Sequence, residues 1–288
     1  MDGTLTLPDD IRTTVEQALT EDVHDGDRNA ALIDPDQHGH AELIARENAI
    51  LAGAPWFDAL YEAVSPQVEL DWHYADGQRI PEDTLLCTLR GPARALLTGE
   101  RTALNFLQLL SGVATATHEY VERVKGTQTA IVDTRKTLPG LRSAQKYAVR
   151  CGGGVNHRMG LYDAILIKEN HIIAAGSLAA AVERARAQSP ELNVQVEIES
   201  LEEMEQALEA GVDAILVDNF PNHMLTRAVN MARAHGRRFR RDIMLEASGN
   251  IDLRTVRAVA DTGVDRISIG GLTKHVRATD FSIRMHLD

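Results

Sequence analysis

Beyond residue 125 the chain alternates short apolar runs with amphipathic stretches, and this rhythm predicts most of its architecture. The runs at 129–132, 164–167, 194–198, 214–217, 243–245 and 266–269 have the length of buried strands. Between them, Leu178, Ala181, Val182 and Ala185 form one helical stripe. Leu201, Met204, Ala207 and Leu208 form a second, and Leu253, Val256, Val259 and Ala260 a third. Gly211 and Gly263 stand where two of these helices should stop. Repeated strand–helix units require a parallel sheet, either open and doubly wound or curled into a barrel.

The first 115 residues or so follow a mixed pattern. Ile11, Val15, Ala18 and Leu19 share one face of a helix that Asp9 or Asp10 could cap. Residues 40–54, 66–75 and 84–90 read as strands, separated by turn signals such as Asp76-Gly77 and Gly91-Pro92. A long helix is expected from 93 to 124, with a break near Ser111-Gly112. This part is an α+β segment.

What terminates the six later strands separates barrel from open sheet. They end in Asp133, Lys168, Glu197, Asp218, Glu246-Ala-Ser248 and Gly270. An open sheet concentrates its ligand contacts at one switch point, whereas a barrel gathers them from nearly every strand at one rim. Every run here delivers a charge, a hydroxyl or a glycine, which favours the barrel.

Composition narrows the function. Of 288 residues 44% are hydrophobic, no apolar stretch is long enough to span a bilayer, and the N-terminus has no basic region ahead of an apolar core. The two cysteines, Cys87 and Cys151, read as buried thiols, so a cytoplasmic protein without a membrane partner is expected. A net charge of −12 argues against nucleic-acid binding. Yet Arg135 to His171 holds seven Lys or Arg against two acids. Such a run is often a solvated face; here, Arg135, Lys136 and Lys168 fall at strand ends and converge on one mouth.

Thr134-Arg135-Lys136-Thr137 combines a planar fork for carboxylate with a point charge for phosphate. His157 and Arg158 follow Gly152-Gly153-Gly154, which is either a phosphate cradle or an ordinary turn. Glu197 and Asp218 lie one strand–helix unit apart, as carboxylates serving Mg²⁺ alongside substrate phosphates would, or as counter-ions of the lysines. Glu199 shares the facing of Glu197 and competes for its role. Ser248-Gly249-Asn250 and Gly270-Gly271 follow the last two strands, a recurrent phosphate position in barrels. Nucleotide-binding loops, nucleophile elbows and paired-histidine zinc motifs are absent.

These segments closely resemble the quinolinate phosphoribosyltransferases. The likeness rests on Gly99-Glu-Arg-Thr-Ala-Leu-Asn-Phe106, Asp133-Thr-Arg-Lys-Thr-Leu-Pro-Gly140, Gly152-Gly-Gly-Val-Asn-His-Arg158 and Leu166-Ile-Lys-Glu-Asn-His171. Leu216-Val-Asp-Asn-Phe220, Glu246-Ala-Ser-Gly-Asn250 and Gly271-Leu-Thr-Lys-His275 continue it, as do Ala18-Leu-Thr-Glu-Asp-Val23 and Gly26-Asp27 near the start. The resemblance implies an α/β fold in two domains. Residues 1–115 would form an N-terminal α/β sandwich, with 276–288 packing beside it, and 116–275 an open α/β barrel that is catalytic. It implies transfer of phosphoribose from phosphoribosyl pyrophosphate (PRPP) to quinolinate with Mg²⁺, giving nicotinate mononucleotide, pyrophosphate and CO₂, in de novo NAD synthesis.

The resemblance also assigns roles. Arg135, His157, Arg158 and Lys168 would bind quinolinate, with Lys136 between the two substrates and Thr134 also contacting substrate. Glu197 and Asp218 would serve the Mg²⁺-bound ribose and pyrophosphate, and Lys136, Lys168, Glu197 and Asp218 the chemistry. Ser248, Gly249, Asn250, Gly270 and Gly271 would hold the 5′-phosphate. Arg101 would reach the neighbour's site in a homodimer, with higher assembly left open. Arg28-Asn29 and Asn250 depart from the common family pattern, where a threonine and a glycine are usual. The rival readings are a relative acting on another heterocyclic acid and a non-catalytic anion-binding barrel.

Overall fold

The structure, a computed structural model, describes residues 5–287. In chain order it contains α1 (Ile11–Asp22), β1 (His38–Ala45), β2 (Ala49–Ile50), α2 (Ala54–Val64), β3 (Glu69–Trp72), β4 (Arg79–Ile80), β5 (Leu85–Pro92) and α3 (Ala93–Arg123). Next come β6 (Ala130–Val132), α4 (Arg142–Cys151), β7 (Ile165–Ile167), α5 (Glu169–Ala175), α6 (Leu178–Gln188), β8 (Val194–Ile198), α7 (Leu201–Glu209) and β9 (Ala214–Asp218). The chain ends with α8 (Asn222–Phe239), β10 (Met244–Ser248), α9 (Val256–Ala260), β11 (Arg266–Ser268), α10 (Gly271–Lys274) and β12 (Phe281–Leu287). These elements form two units. The first takes the described residues up to His118, Lys136–Gly153 and those from Gly271 on; the second takes Glu119–Arg135 and Gly154–Gly270.

The first unit is built on a four-stranded antiparallel sheet ordered β12-β1-β5-β3. Along β1, Ala41, Leu43 and Ala45 are buried while His40, Glu42 and Ile44 are half-exposed, the period-two pattern of a one-sided strand. The run 40–54, expected as one strand, divides into β1, β2 and the start of α2. Gly53 holds a left-handed φ of 112°, and the Gly53 and Ala54 amides donate to the Asp76 carboxylate at 2.9 and 3.2 Å. That satisfies free amides at the helix start. Trp56, Phe57, Leu60 and Tyr61 then bury one helical face.

Two further expectations fail for local reasons. Asp10 sits at the start of α1, but its carboxylate makes no cap and instead accepts from the Ser143 hydroxyl. The long helix α3 is unbroken at Ser111-Gly112. There Ser111 exchanges hydrogen bonds with the backbone of Ala52, and a Cβ on Gly112 would lie 2.2 Å from the Arg277 carbonyl oxygen. The pair marks a close approach of backbone, not a break.

The second unit is a six-stranded parallel sheet ordered β6-β11-β10-β9-β8-β7. Strands seven to eleven neighbour each other in sequence order, while β6, the first, pairs with β11, the last. That is the order of a ring interrupted at one joint, not the reversal at a switch point of a doubly wound sheet. No ladder joins β6 to β7 among the described residues, so the barrel is open. Val155 bridges in parallel to Val132 along the free edge of β6. No helix of the described residues is long and apolar enough to cross a membrane.

Candidate active site

Register decides which side chains meet. Glu197 pairs with Leu216, Leu216 with Glu246, and Glu246 with Arg266; Gln195 pairs with Ala214 and Leu166. Residues opposite one another share a face, and positions two apart stay on it. One face therefore carries Lys168, Gln195, Glu197, Asp218, Glu246, Ser248 and Arg266, interspersed with the apolar Leu166, Ala214, Leu216 and Met244. The other carries Val196, Ile198, Ile215, Val217, Leu245, Ala247 and Ile267, all buried. A sheet with an apolar outer face and charged side chains set among apolar ones on its inner face can bind ions there.

Toward the strand ends, the Lys168 ammonium lies against Glu197 Oε2, with side-chain exposures of 48% and 20%. The Lys168 backbone N–H donates to His171 Nδ1 at 3.0 Å, which fixes the turn into α5. Glu199 stands outside β8, exposed, and its N–H donates to Glu203 at the head of α7. Of the two competing glutamates, Glu197 faces the lysine. Asp218 closes β9 and accepts from the Asn219 amide at 2.9 Å.

Asn219 and Asn250 both have left-handed backbones, with φ of 57° and 49°. The Asn219 N–H donates to the Ser248 carbonyl at 2.9 Å, and the Asn250 amide donates to Asn219 Oδ1 at 3.0 Å. A Cβ on Gly249 would lie 2.2 Å from that same oxygen. The departure at Asn250 is thereby explained: asparagine is the side chain most at ease where glycine is otherwise required. Asn250→Gly should leave the melting temperature near wild type, whereas Asn250→Val should cost about 1–3 kcal/mol. Equal melting temperatures for the two variants would refute a conformational requirement.

At the β6 end, Asp133 is fully buried and accepts from the Asn156 amide at 2.6 Å and the His157 N–H at 2.9 Å. Burial lowers the Arg158 pKa, the charge of Arg135 lowers it further, and Asp163 partly offsets both. Arg158 Nη1 also donates to the Ala164 carbonyl at 3.1 Å. Two guanidiniums held together against their repulsion favour an anion between them. A cavity of about 330 Å³ beside His157 and Arg158 is lined also by Asp163, Asn193, Asp213, Met244 and Arg266, at the strand starts and so at the end away from Lys168 and Asp218.

The glycine run is a turn. The Gly152 and Gly153 amides donate to Ala148 and Arg150 carbonyls at the end of α4, so neither is free for phosphate. A Cβ on Gly152 would meet the Ala114 oxygen at 2.3 Å, which is the close packing that the glycine serves.

Arg101, Lys136 and Gly271 belong to the first unit. Lys136 is exposed, and its carbonyl accepts from Thr273 Oγ1 at 2.9 Å. Gln145, fully buried, ties Leu138 N–H to the Thr273 carbonyl through two bonds of 2.8 Å. Arg101 projects to solvent from α3 between Thr98 and Thr102, whose hydroxyls donate to Asp27 and Asp22 at 2.8 and 2.9 Å. Asp27 closes its own turn by accepting from the Asn29 and Ala30 amides, while Arg28 reaches out to exposed Asp25. The departure at Arg28-Asn29 therefore touches only the outside of that turn.

Sequence reasoning missed Glu246, Gln195 and Arg266 as one group. Glu246 accepts on a single oxygen, Oε2, from Arg266 Nε at 2.7 Å and Gln195 Nε2 at 2.9 Å, with His157 Nε2 at 3.3 Å. Burial alone would raise its pKa, but hydrogen bonds from His157 and Gln195 and the Arg266 charge hold it below the ordinary carboxylate range. The available signal was a polar residue at an inner-face position upstream of the polar strand end in each of β8, β10 and β11.

Comparison with known proteins agrees with this geometry. The family model for the quinolinate phosphoribosyl transferase C-terminal domain matches residues 113–284, and that for the N-terminal domain matches 21–111. A probable nicotinate-nucleotide pyrophosphorylase [carboxylating] of Bacillus subtilis is 42% identical over 278 residues, covering 96% of this chain and 94% of its own. The Mycobacterium leprae nicotinate-nucleotide pyrophosphorylase [carboxylating] is 40% identical, covering 96% of this chain and 97% of its own. The solved nicotinate-nucleotide pyrophosphorylase of Francisella tularensis superposes with a TM-score of 0.93 at 42% identity, covering 99% of this chain and all of its own. With both domain models matched and full-length relatives above 40% identity, the chain belongs to the quinolinate phosphoribosyltransferase family.

Proposed function

We propose that the chain transfers phosphoribose from PRPP to the ring nitrogen of quinolinate and releases CO₂, forming nicotinate mononucleotide and pyrophosphate for NAD synthesis. The observation that carries this reading is the ionic inner face of the sheet, with Lys168 beside Glu197 and Arg135 close to Arg158. A pyridine bearing two carboxylates needs several cations, and Arg135, Arg158 and Lys168 supply them. Ser248, Gly249, Asn250 and the Gly270-Gly271 turn receive the 5′-phosphate, and Lys136 stands between the substrates.

Glu197 and Asp218 flank the anomeric carbon. The ring nitrogen's lone pair attacks that carbon as its bond to pyrophosphate breaks, and nearby carboxylates favour the positive charge that grows on the ribose. The positive ring nitrogen so formed stabilises the electron pair left on the adjacent ring carbon when its carboxylate departs as CO₂, and that pair then takes up a proton. Positioning and electrostatics suffice without a protein nucleophile.

No group of three or more metal-ligating side chains exists among the described residues. Two carboxylates on adjacent strands, one already facing a lysine, fit a Mg²⁺ ion carried mainly by substrate oxygens. When bound, that ion would neutralise the departing pyrophosphate. The enzyme works as a homodimer with Arg101 serving the neighbouring site, and acts in the cytoplasm. Cys87 and Cys151, both buried and free, suit a reducing compartment.

The deciding experiment incubates the chain with PRPP, Mg²⁺ and quinolinate, nicotinate or another heterocyclic acid. Nicotinate mononucleotide and CO₂ in equal amounts from quinolinate are expected. Turnover of a different acid, or binding without turnover, would overturn the proposal.

A further inference from the structure

We infer that Glu246 is a positioning residue which, through the ring of His157, sets where Arg158 stands in the site. The inference deepens the proposed reaction and rests on it for its kinetic half. His157 has both ring nitrogens engaged. Nε2 faces Glu246 Oε2 at 3.3 Å, and Nδ1 accepts the Arg158 backbone N–H at 2.7 Å. A nitrogen that accepts cannot carry a proton, so this arrangement selects the neutral form protonated at Nε2. In that form the ring is a strut between a buried anion and the backbone of the next residue.

The anion is well fixed. Glu246 is 0% exposed, and Arg266 from β11 and Gln195 from β8 hold the same oxygen that faces the histidine. From the other side, Asp133 accepts the His157 N–H at 2.9 Å. The backbone at 157 is thus gripped by β6 and the ring by β10. Arg158, half-buried and repelled by Arg135, would otherwise swing away from the cation pair.

Glu246 Oε1 is buried and has no donor. This one-sidedness supplies the control. A glutamine at 246 can place its carbonyl where Oε2 stands and its NH₂ where nothing donates, preserving all three contacts. A leucine preserves none.

The test reads the imidazole nitrogen resonances of isotope-labelled full-length protein, together with steady-state kinetics for both substrates. In the wild type, His157 should be protonated at Nε2 and bare at Nδ1. Glu246→Gln should keep that pattern and a quinolinate KM within about threefold. Glu246→Leu should show averaged tautomers and a quinolinate KM raised about tenfold or more, with the PRPP KM unchanged. A wild-type His157 protonated at Nδ1, or averaging between tautomers, overturns the inference without any variant. So does a folded Glu246→Leu protein with an unchanged quinolinate KM, or with both KM values raised alike. If the wild type does not turn quinolinate over, the proposed reaction has failed, and the tautomer result still decides the strut.

Discussion

Lys168→Ala is expected to lower kcat/KM for quinolinate by about 10²–10³-fold, a loss of about 2.7–4 kcal/mol in transition-state binding. Two effects add. The substitution removes a cation from the inner face just where the strands end, and it leaves the Glu197 carboxylate without its partner. An uncompensated carboxylate then faces substrates that are themselves multiply anionic, so repulsion replaces attraction. Stability should change little, because the lysine side chain is 48% exposed and its ion pair with Glu197 is only partly desolvated. Steady-state kinetics with thermal melts separate the two effects. Near-wild-type efficiency in a folded variant would remove Lys168 from the site.

Much of the second unit is legible in the sequence because parallel strands covered by helices must be apolar on alternate residues at least. Six apolar runs with polar ends sufficed to predict six strands, and all six form. The first unit is harder. Residues 49–57 are so uniformly apolar that strand and buried helix look alike, and only the Asp76 carboxylate, 23 residues beyond Gly53, settles where α2 begins. A contact of that range leaves no local periodicity.

The site divides the same way. Lys168, Glu197 and Asp218 stand at strand ends, where a charge after an apolar run is conspicuous. Gln195, Glu246 and Arg266 lie within strands, and their meaning depends on register. Only the pairing of Glu246 with Arg266, and of Gln195 with the neighbouring strand's Ala214, brings them to one point. Gly112 and Gly152 mislead for the opposite reason. Each signals a break or a cradle locally, yet each serves a backbone that approaches from a distant segment.

Arg101 provides the sharpest test of assembly. It is exposed on α3 and makes no hydrogen bond or ion pair among the described residues, so Arg101→Ala should not disturb the fold. The proposed trans role predicts that this variant is nearly inactive, as Lys168→Ala is. Mixing the two inactive proteins, then dissociating and reassociating them, should restore activity. In a mixed dimer, the site that keeps Lys168 receives Arg101 from the other chain and is intact, while the second site lacks both. Random pairing makes about half of the dimers mixed, so about a quarter of wild-type activity should return. If each site were instead built from one chain, a mixed dimer would hold one site without Arg101 and one without Lys168, and nothing would return. Mixed dimers verified by mass but still inactive would therefore place Arg101 outside the neighbour's site.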